Sequence, residues 1–171
     1  MKAREVLRDC EYTRKRLQDA IEKNNLNDAK VFWFSSLAML RSIGHVLHNV
    51  DAKEQGGYFG DILEENFKRW KKDPVFANFI EKERNNILKE YASSLSEQKN
   101  LEEFCLVTES GERLVTESED AIVGTTTVTT LIKGDGMYSG ISPVDALDKA
   151  LRWWEKNLSE FEQQLLKKND T

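Results

Sequence analysis

Arg84, Asn85, Lys89 and Tyr91 lie close together in the chain and have side chains suited to RNA cleavage. Cleavage without a metal needs donors for the negative charge that develops on the phosphate, and groups that move protons to and from the reacting oxygens. The planar guanidinium of Arg84 can hold two phosphate oxygens, Asn85 can orient a sugar or a neighbouring phosphate, and Tyr91 can donate its hydroxyl or stack. These four residues are candidate catalytic residues.

Lys89 limits this set, because a lysine with an ordinary pKa of ~10.4 stays protonated at neutral pH. It can bind phosphate, but without strong desolvation it cannot act as a base. On a regular helix Tyr91 projects within about 20° of Arg84, whereas Lys89 projects about 140° away. A composite site then needs an irregular helix, a long reach by Lys89, or a second copy of the chain that brings its own Arg84 nearby.

His45 is the fifth candidate, because it can replace the missing base from a neighbouring helix. Arg41, His45 and His48 fall on one polar row of a helix that must pack near the one carrying Arg84. The plainer alternative is that both histidines lie on the wetter side near the end of the helix. A His-x-x-His spacing also permits a metal, but no carboxylate or thiol stands at a matching offset, so we expect no metal and no cofactor.

Arg84 also has a structural alternative. Glu81 and Glu83 precede it, and the first helix carries further acids, so Arg84 can instead be one half of an ion pair. Asn85 would then belong to a solvated polar face. The sequence leaves open whether this arginine meets a phosphate or a carboxylate.

A second basic group is the run of Lys68, Arg69, Trp70, Lys71 and Lys72. Cations around an aromatic ring are a composition that holds phosphate while stacking a base, which makes this run a candidate nucleic-acid-binding segment. Alternatively, its cations complement the dipole at a helix end while Trp70 turns inward.

Apolar residues recurring at intervals of three and four positions predict the helices that position these groups. We expect a mainly α protein, an up-down bundle of about five helices with a small β-hairpin insertion before the last helix. The predicted helices span about residues 3–24, 27–50, 61–72, 75–95 and 143–166.

The β segment, at about residues 104–132, is predicted from its β-branched residues and turn signals. Residues 97–120 contain eight acidic and two basic residues, so most of the negative charge lies in or next to this segment. An acidic surface of this kind can meet a basic protein partner. We find no internal repeat and expect a single domain over residues 1–171.

The composition is that of one ordinary domain: 171 residues, 39% hydrophobic and 32% charged, with a formal net charge of −5. Collagen-like, low-complexity and wholly disordered classes are excluded. Cys10 and Cys105 lie far apart, without the spacing of a thiolate metal site. Charges near the N-terminus argue against a secretory signal, and no apolar stretch is long enough to cross a bilayer. We therefore expect a cytoplasmic protein without membrane contact.

Arg84-Asn85-x3-Lys89-x-Tyr91, late in a helical chain, resembles the active-site motif of the HEPN superfamily. In that motif an Arg, often followed by Asn, precedes a His by about five positions, sometimes with a Tyr two positions further on. Lys89 stands here in place of the His. The resemblance implies a four- or five-helix bundle, often dimeric, and many such proteins are metal-independent endoribonucleases of toxin–antitoxin and antiphage systems.

The sequence thus predicts a HEPN-like protein that engages RNA or a nucleotide through Arg84 and its neighbours. It is either a metal-independent endoribonuclease with a variant site or a binding protein, and we expect a homodimer. The alternative is a non-catalytic dimeric interaction module that meets a protein partner through the acidic β segment.

Overall fold

The computed structural model describes residues 1–169 and has the predicted fold class, mainly α with an antiparallel hairpin before the last helix. Two π-helical segments, Leu47–Asp51 after the second helix and Val75–Glu81 before the fifth, widen the helical path. The regular elements are α1 (Lys2–Glu22), α2 (Leu26–Val46), α3 (Ala52–Gln55), α4 (Phe59–Trp70), α5 (Lys82–Glu90), β1 (Leu95–Cys105), β2 (Val123–Lys133) and α6 (Pro143–Asn169).

The core is a single cluster of buried apolar side chains contributed by all the long helices. Its centre is aromatic: Trp70 of α4 packs against Trp153 and Trp154 of α6 at ring separations of 6.4 and 5.4 Å. The indole N–H of Trp154 donates to the backbone carbonyl of Leu40 at 2.8 Å, so this ring is buried with its polar atom satisfied. None of the helices in the described part of the chain is both long and apolar enough to span a membrane.

Asp51, the last residue of the first π-helical segment, contacts the start of α1. Its buried carboxylate accepts hydrogen bonds from the backbone N–H of Lys2 at 2.7 Å and of Ala3 at 3.0 Å. The first N–H groups of a helix have no partner within the helix, and the positive end of the helix dipole favours an anion there. Asp51 therefore caps α1 from a distant part of the chain.

Asp51→Ala is expected to lower the free energy of unfolding by about 1–3 kcal/mol, because two buried N–H groups lose their acceptor. Urea unfolding followed by tryptophan fluorescence measures the change. Asp9→Ala is the matched control: it removes an exposed carboxylate in the middle of α1 and is expected to change stability by less than about 0.5 kcal/mol. Equal effects of the two substitutions would show that the cap contributes nothing.

β1 and β2 form a two-stranded arm, paired without interruption from Leu95 opposite Lys133 to Cys105 opposite Val123. The arm begins before the predicted residue 104, because the β-branched strand β2 also pairs with the polar residues that precede residue 104. The root of the arm is its most buried part: Leu95, Leu131 and Ile132 are half-buried and Lys133 is buried, whereas most of the remaining strand residues are exposed. The eleven residues of each strand give the arm a length of about 36 Å.

The end of the arm is a three-way junction of strands, which we call the leaf (residues 105–123). At its centre, three backbone N–H groups each donate to a carbonyl at 2.9 Å, from Leu106 to Ile122, from Leu114 to Leu106 and from Ile122 to Leu114. Three stems meet at this closed ring of hydrogen bonds. One stem is the arm, and the other two are short lobes in which Val107 pairs with Arg113 and Val115 with Ala121.

The two lobes begin with the same five residues and form the same turn. Leu-Val-Thr-Glu-Ser occurs at residues 106–110 and again at 114–118. In each lobe the threonine N–H donates at 2.8 Å to the carbonyl of the acidic residue four positions later, and the threonine hydroxyl accepts from that residue's N–H. Gly111 and Glu119, at equivalent positions, have φ of 86° and 65°. The prediction of no internal repeat is therefore wrong; the repeat is eight residues long.

Candidate functional site

Arg84 lies on α5, half-buried, and its guanidinium is not held by an acid. Its hydrogen bond is to the side-chain oxygen of its neighbour Asn85, at 2.8 Å, and no carboxylate in residues 1–169 forms an ion pair with it. The acids proposed as partners bind other cations: Glu81 pairs with Arg41 at 3.6 Å and Glu83 with Lys133 at 2.7 Å. The ion-pair alternative for Arg84 is therefore wrong.

Arg41 of α2 is a candidate anion ligand that the sequence analysis did not single out. Its side chain is 11% exposed, its guanidinium lies 5.2 Å from the ring centre of Phe76, and its Nε and Nη1 atoms are buried without a hydrogen-bond partner. Burial lowers the pKa of Arg41, and the charge of Arg84 adds to this effect while Glu81 opposes it. Unsatisfied charged donors of this kind are costly, and an anion at this position would relieve the cost.

His45 is exposed on α2, within electrostatic range of both arginines. Its pKa is lowered from the ordinary 6.5, first by partial desolvation and then by the charges of Arg41, Arg84 and His48. A lowered pKa keeps the imidazole neutral at neutral pH, which is the form that accepts a proton. The structure thus places the predicted His45 within electrostatic range of Arg84, and the direction of the pKa shift favours the neutral imidazole.

His48 and Lys71 extend this positive region around a neighbouring ring. The His48 ring lies 6.3 Å from the ring of Phe67, and the Lys71 Nζ lies 5.2 Å from the same ring centre. Phe67 in turn packs 5.9 Å from Phe76, the ring beneath Arg41. Basic side chains therefore lie along α2 toward the end of α4, over aromatic rings of which Phe76 is fully buried. We call the five basic residues of this region the cationic strip: Arg41, His45, His48, Lys71 and Arg84.

Tyr91 does not join this strip. It follows Glu90, the last residue of α5, and has a left-handed backbone with φ 49°. Its ring packs against Phe34 at a ring separation of 5.4 Å, and the Nζ of Lys30 lies 4.8 Å from its ring centre. The helix stops at Glu90 and not at the predicted residue 95, and the shared face of Arg84 and Tyr91 stays a prediction.

The catalytic roles of Asn85 and Lys89 stay predictions. Asn85 is half-buried, and its side-chain oxygen accepts from Arg84, which orients the guanidinium. Lys89 is exposed on the last turn of α5 and forms no ion pair with any residue that the structure describes.

The basic run at the end of α4 divides in the structure. Trp70 is 1% exposed and packed among aromatic rings, so its predicted stacking on a base is wrong and the inward alternative is confirmed. Lys68 pairs with Glu64 at 3.0 Å and Arg69 with Glu160 at 3.3 Å, while Lys72 is exposed. Of these cations, Lys71 alone belongs to the cationic strip, because it lies over the same Phe67 ring as His48. Contact of the four cations with nucleic acid stays a prediction.

Within residues 1–169 no group of three or more histidine, cysteine or acidic side chains is arranged to hold a metal ion. Comparison of the chain with protein-family models, curated proteins and solved structures finds no match. The functional argument therefore depends on the geometry of the strip, and membership of the HEPN superfamily stays a prediction from the motif.

Proposed function

We propose that this protein is a HEPN-like RNA-binding protein that cleaves RNA without a metal at the cationic strip. The observation that supports this most is the pair of guanidiniums at one place: Arg84 without a carboxylate partner, and Arg41 with two buried donors unsatisfied. Two planar cations, one without an acidic partner and one whose only carboxylate lies 3.6 Å away, match the charge and geometry of a phosphate group. The neutral imidazole of His45 beside them adds a base.

The chemistry follows from these groups. His45 takes the proton of a ribose 2′-hydroxyl, and the oxygen attacks the adjacent phosphorus while Arg41 and Arg84 stabilise the charge that develops on the phosphate oxygens. The bond from phosphorus to the 5′-oxygen breaks, and that oxygen takes a proton from an acid, a role that we assign to His48 in the π-helical segment that follows α2. The products are a 2′,3′-cyclic phosphate and a 5′-hydroxyl end.

The resemblance further suggests a homodimer and a setting in a prokaryotic defence or toxin–antitoxin system. A second copy placed across α5 would bring a second Arg84 and double the local positive charge. Native mass spectrometry tests the dimer directly.

Arg84→Ala is expected to slow RNA cleavage by about 10²–10³-fold, the loss typical of removing one donor from the developing charge. Labelled single-stranded RNA is incubated with the protein in EDTA, and the rate of product formation is measured. Arg152→Ala is the matched control, since it removes an exposed arginine of α6 and the same charge. Arg84→Lys keeps the charge but loses the bidentate fork, so we expect it to bind RNA while cleaving poorly.

Three results separate the possible functions. Cleavage lost only in Arg84→Ala supports the ribonuclease. Salt-sensitive RNA binding that requires Arg84, without cleavage, reduces the proposal to an RNA-binding protein. Absence of both in the wild type contradicts the proposal and leaves the alternative of a protein-interaction module.

A further inference from the structure

The leaf exposes apolar side chains on both of its faces. Successive residues of a strand point to opposite faces, so the junction residues share one face and the residues that follow them share the other. The first face carries Leu106 (38% exposed), Leu114 (38%) and Ile122 (37%), and the second carries Val107 (54%), Val115 (50%) and Val123 (57%).

A single layer of this kind has no core of its own. Thin ribbons with both faces in water are marginally stable, and contiguous exposed apolar surface in a folded protein marks a contact with another molecule. The root of the arm is fixed to the bundle, whereas nothing from the described helices covers the leaf. The apolar faces are therefore available to a partner.

The acidic rim of the leaf indicates that a partner must be basic. The two turns carry exposed acids, and none of them forms an ion pair with a residue in the described part of the chain. A second leaf placed against the first would oppose acid with acid, which is unfavourable, whereas lysine or arginine on a partner would neutralise the rim. The rim acids are Glu109, Glu112, Glu117, Glu119 and Asp120.

We propose that the leaf is a docking surface for a protein partner whose contact surface is apolar at its centre and rich in lysine or arginine around it. The equal exposure of the three junction residues makes the platform nearly three-fold symmetric, so its centre can hold one apolar anchor while the acidic turns hold cations on two sides. This inference does not depend on RNA binding at the cationic strip.

Cys105 supplies a reporter for occupancy of the leaf. It pairs with Val123 at the edge of the leaf and is exposed, whereas Cys10 is buried and burial raises the pKa of its thiol to about 12. A maleimide therefore reacts at Cys105 first. The probes are three synthetic peptides of equal length: an amphipathic leucine and lysine helix, a leucine and glutamate helix of the same period, and a lysine and serine peptide without apolar residues.

The leucine and lysine peptide is expected to slow modification of Cys105 in the full chain by about tenfold at saturation, and the other two peptides to leave it unchanged. Glu109→Gln with Glu117→Gln keeps the backbone of the leaf and is expected to weaken protection by about tenfold and reduce its salt dependence. Leu114→Ser removes one apolar member of the platform and should also weaken it. The matched controls lie on the bundle: Glu11→Gln with Glu65→Gln, and Leu88→Ser, all exposed.

Three outcomes would overturn the proposal. The leucine and lysine peptide gives no protection, the leaf and bundle variants lose protection equally, or protection of Cys105 in the wild type rises with the concentration of the protein alone. The last result would show that a second copy covers the leaf.

Discussion

Lys133→Met is expected to lower the free energy of unfolding by about 3–5 kcal/mol, the cost of leaving one partner of a buried ion pair alone. The Lys133 side chain is 0% exposed, and its Nζ lies 2.7 Å from a carboxylate oxygen of Glu83, which is 3% exposed. The other oxygen of Glu83 accepts from the Ser94 hydroxyl at 2.6 Å. Without Lys133, a charge stays inside the protein with only a hydroxyl as its partner.

Urea unfolding followed by tryptophan fluorescence measures this change. Lys82→Met is the matched control, because it removes an exposed lysine beside Glu83 and should cost little. Adding Glu83→Gln to Lys133→Met removes the stranded charge and is expected to restore part of the loss. If Lys133→Met is no less stable than Lys82→Met, the pair does not fix the arm to the bundle.

His45→Ala is expected to slow RNA cleavage by about 10²–10⁴-fold, the range for removal of a general base. For the wild type, the rate should rise with pH as His45 loses its proton, and the midpoint of the rise should lie below pH 6.5, since the pKa of His45 is lowered from that ordinary value. The fall in rate on the acid side should be absent in His45→Ala. The measurement is a profile of kcat/KM against pH for labelled RNA.

The charge of Arg84 helps to lower the pKa of His45, which gives a test independent of cleavage. NMR titration of the His45 ring in Arg84→Ala should show a midpoint moved upward, while Arg152→Ala should leave it unchanged. A midpoint that is the same in all three proteins would place Arg84 too far from His45 to act in one site.

The helices were predictable because each buries an apolar stripe with a helical period, as in α1, where Leu7, Cys10 and Leu17 are buried. The residues at which the helices end were harder to predict. Residues 47–51 continue α2 as a π-helix, and Tyr91 stops α5 in a left-handed conformation that the sequence pattern does not indicate. At this early helix end the ring of Tyr91 packs on Phe34.

The candidate site was predictable only in part, because its pairing depends on contacts distant in sequence. Arg84 and His45 were found from their chemistry and spacing. The sequence did not indicate that Arg84 lacks an acidic partner. Glu83 forms its ion pair with Lys133, which lies fifty positions away on the arm. Arg41 was not predicted as a candidate anion ligand, because the sequence does not show how many donors of an arginine in an apolar helix form hydrogen bonds.

The eight-residue repeat makes the second lobe of the leaf a removable unit. If residues 114–121 were deleted, Ile122 would take the place of Leu114, opposite Leu106, and Val123 would stay opposite Cys105, so one continuous hairpin would result. Because eight is an even number, every side chain of the arm would keep its face. Gain or loss of whole lobes can therefore change what the arm recognises while the rest of the protein folds as before.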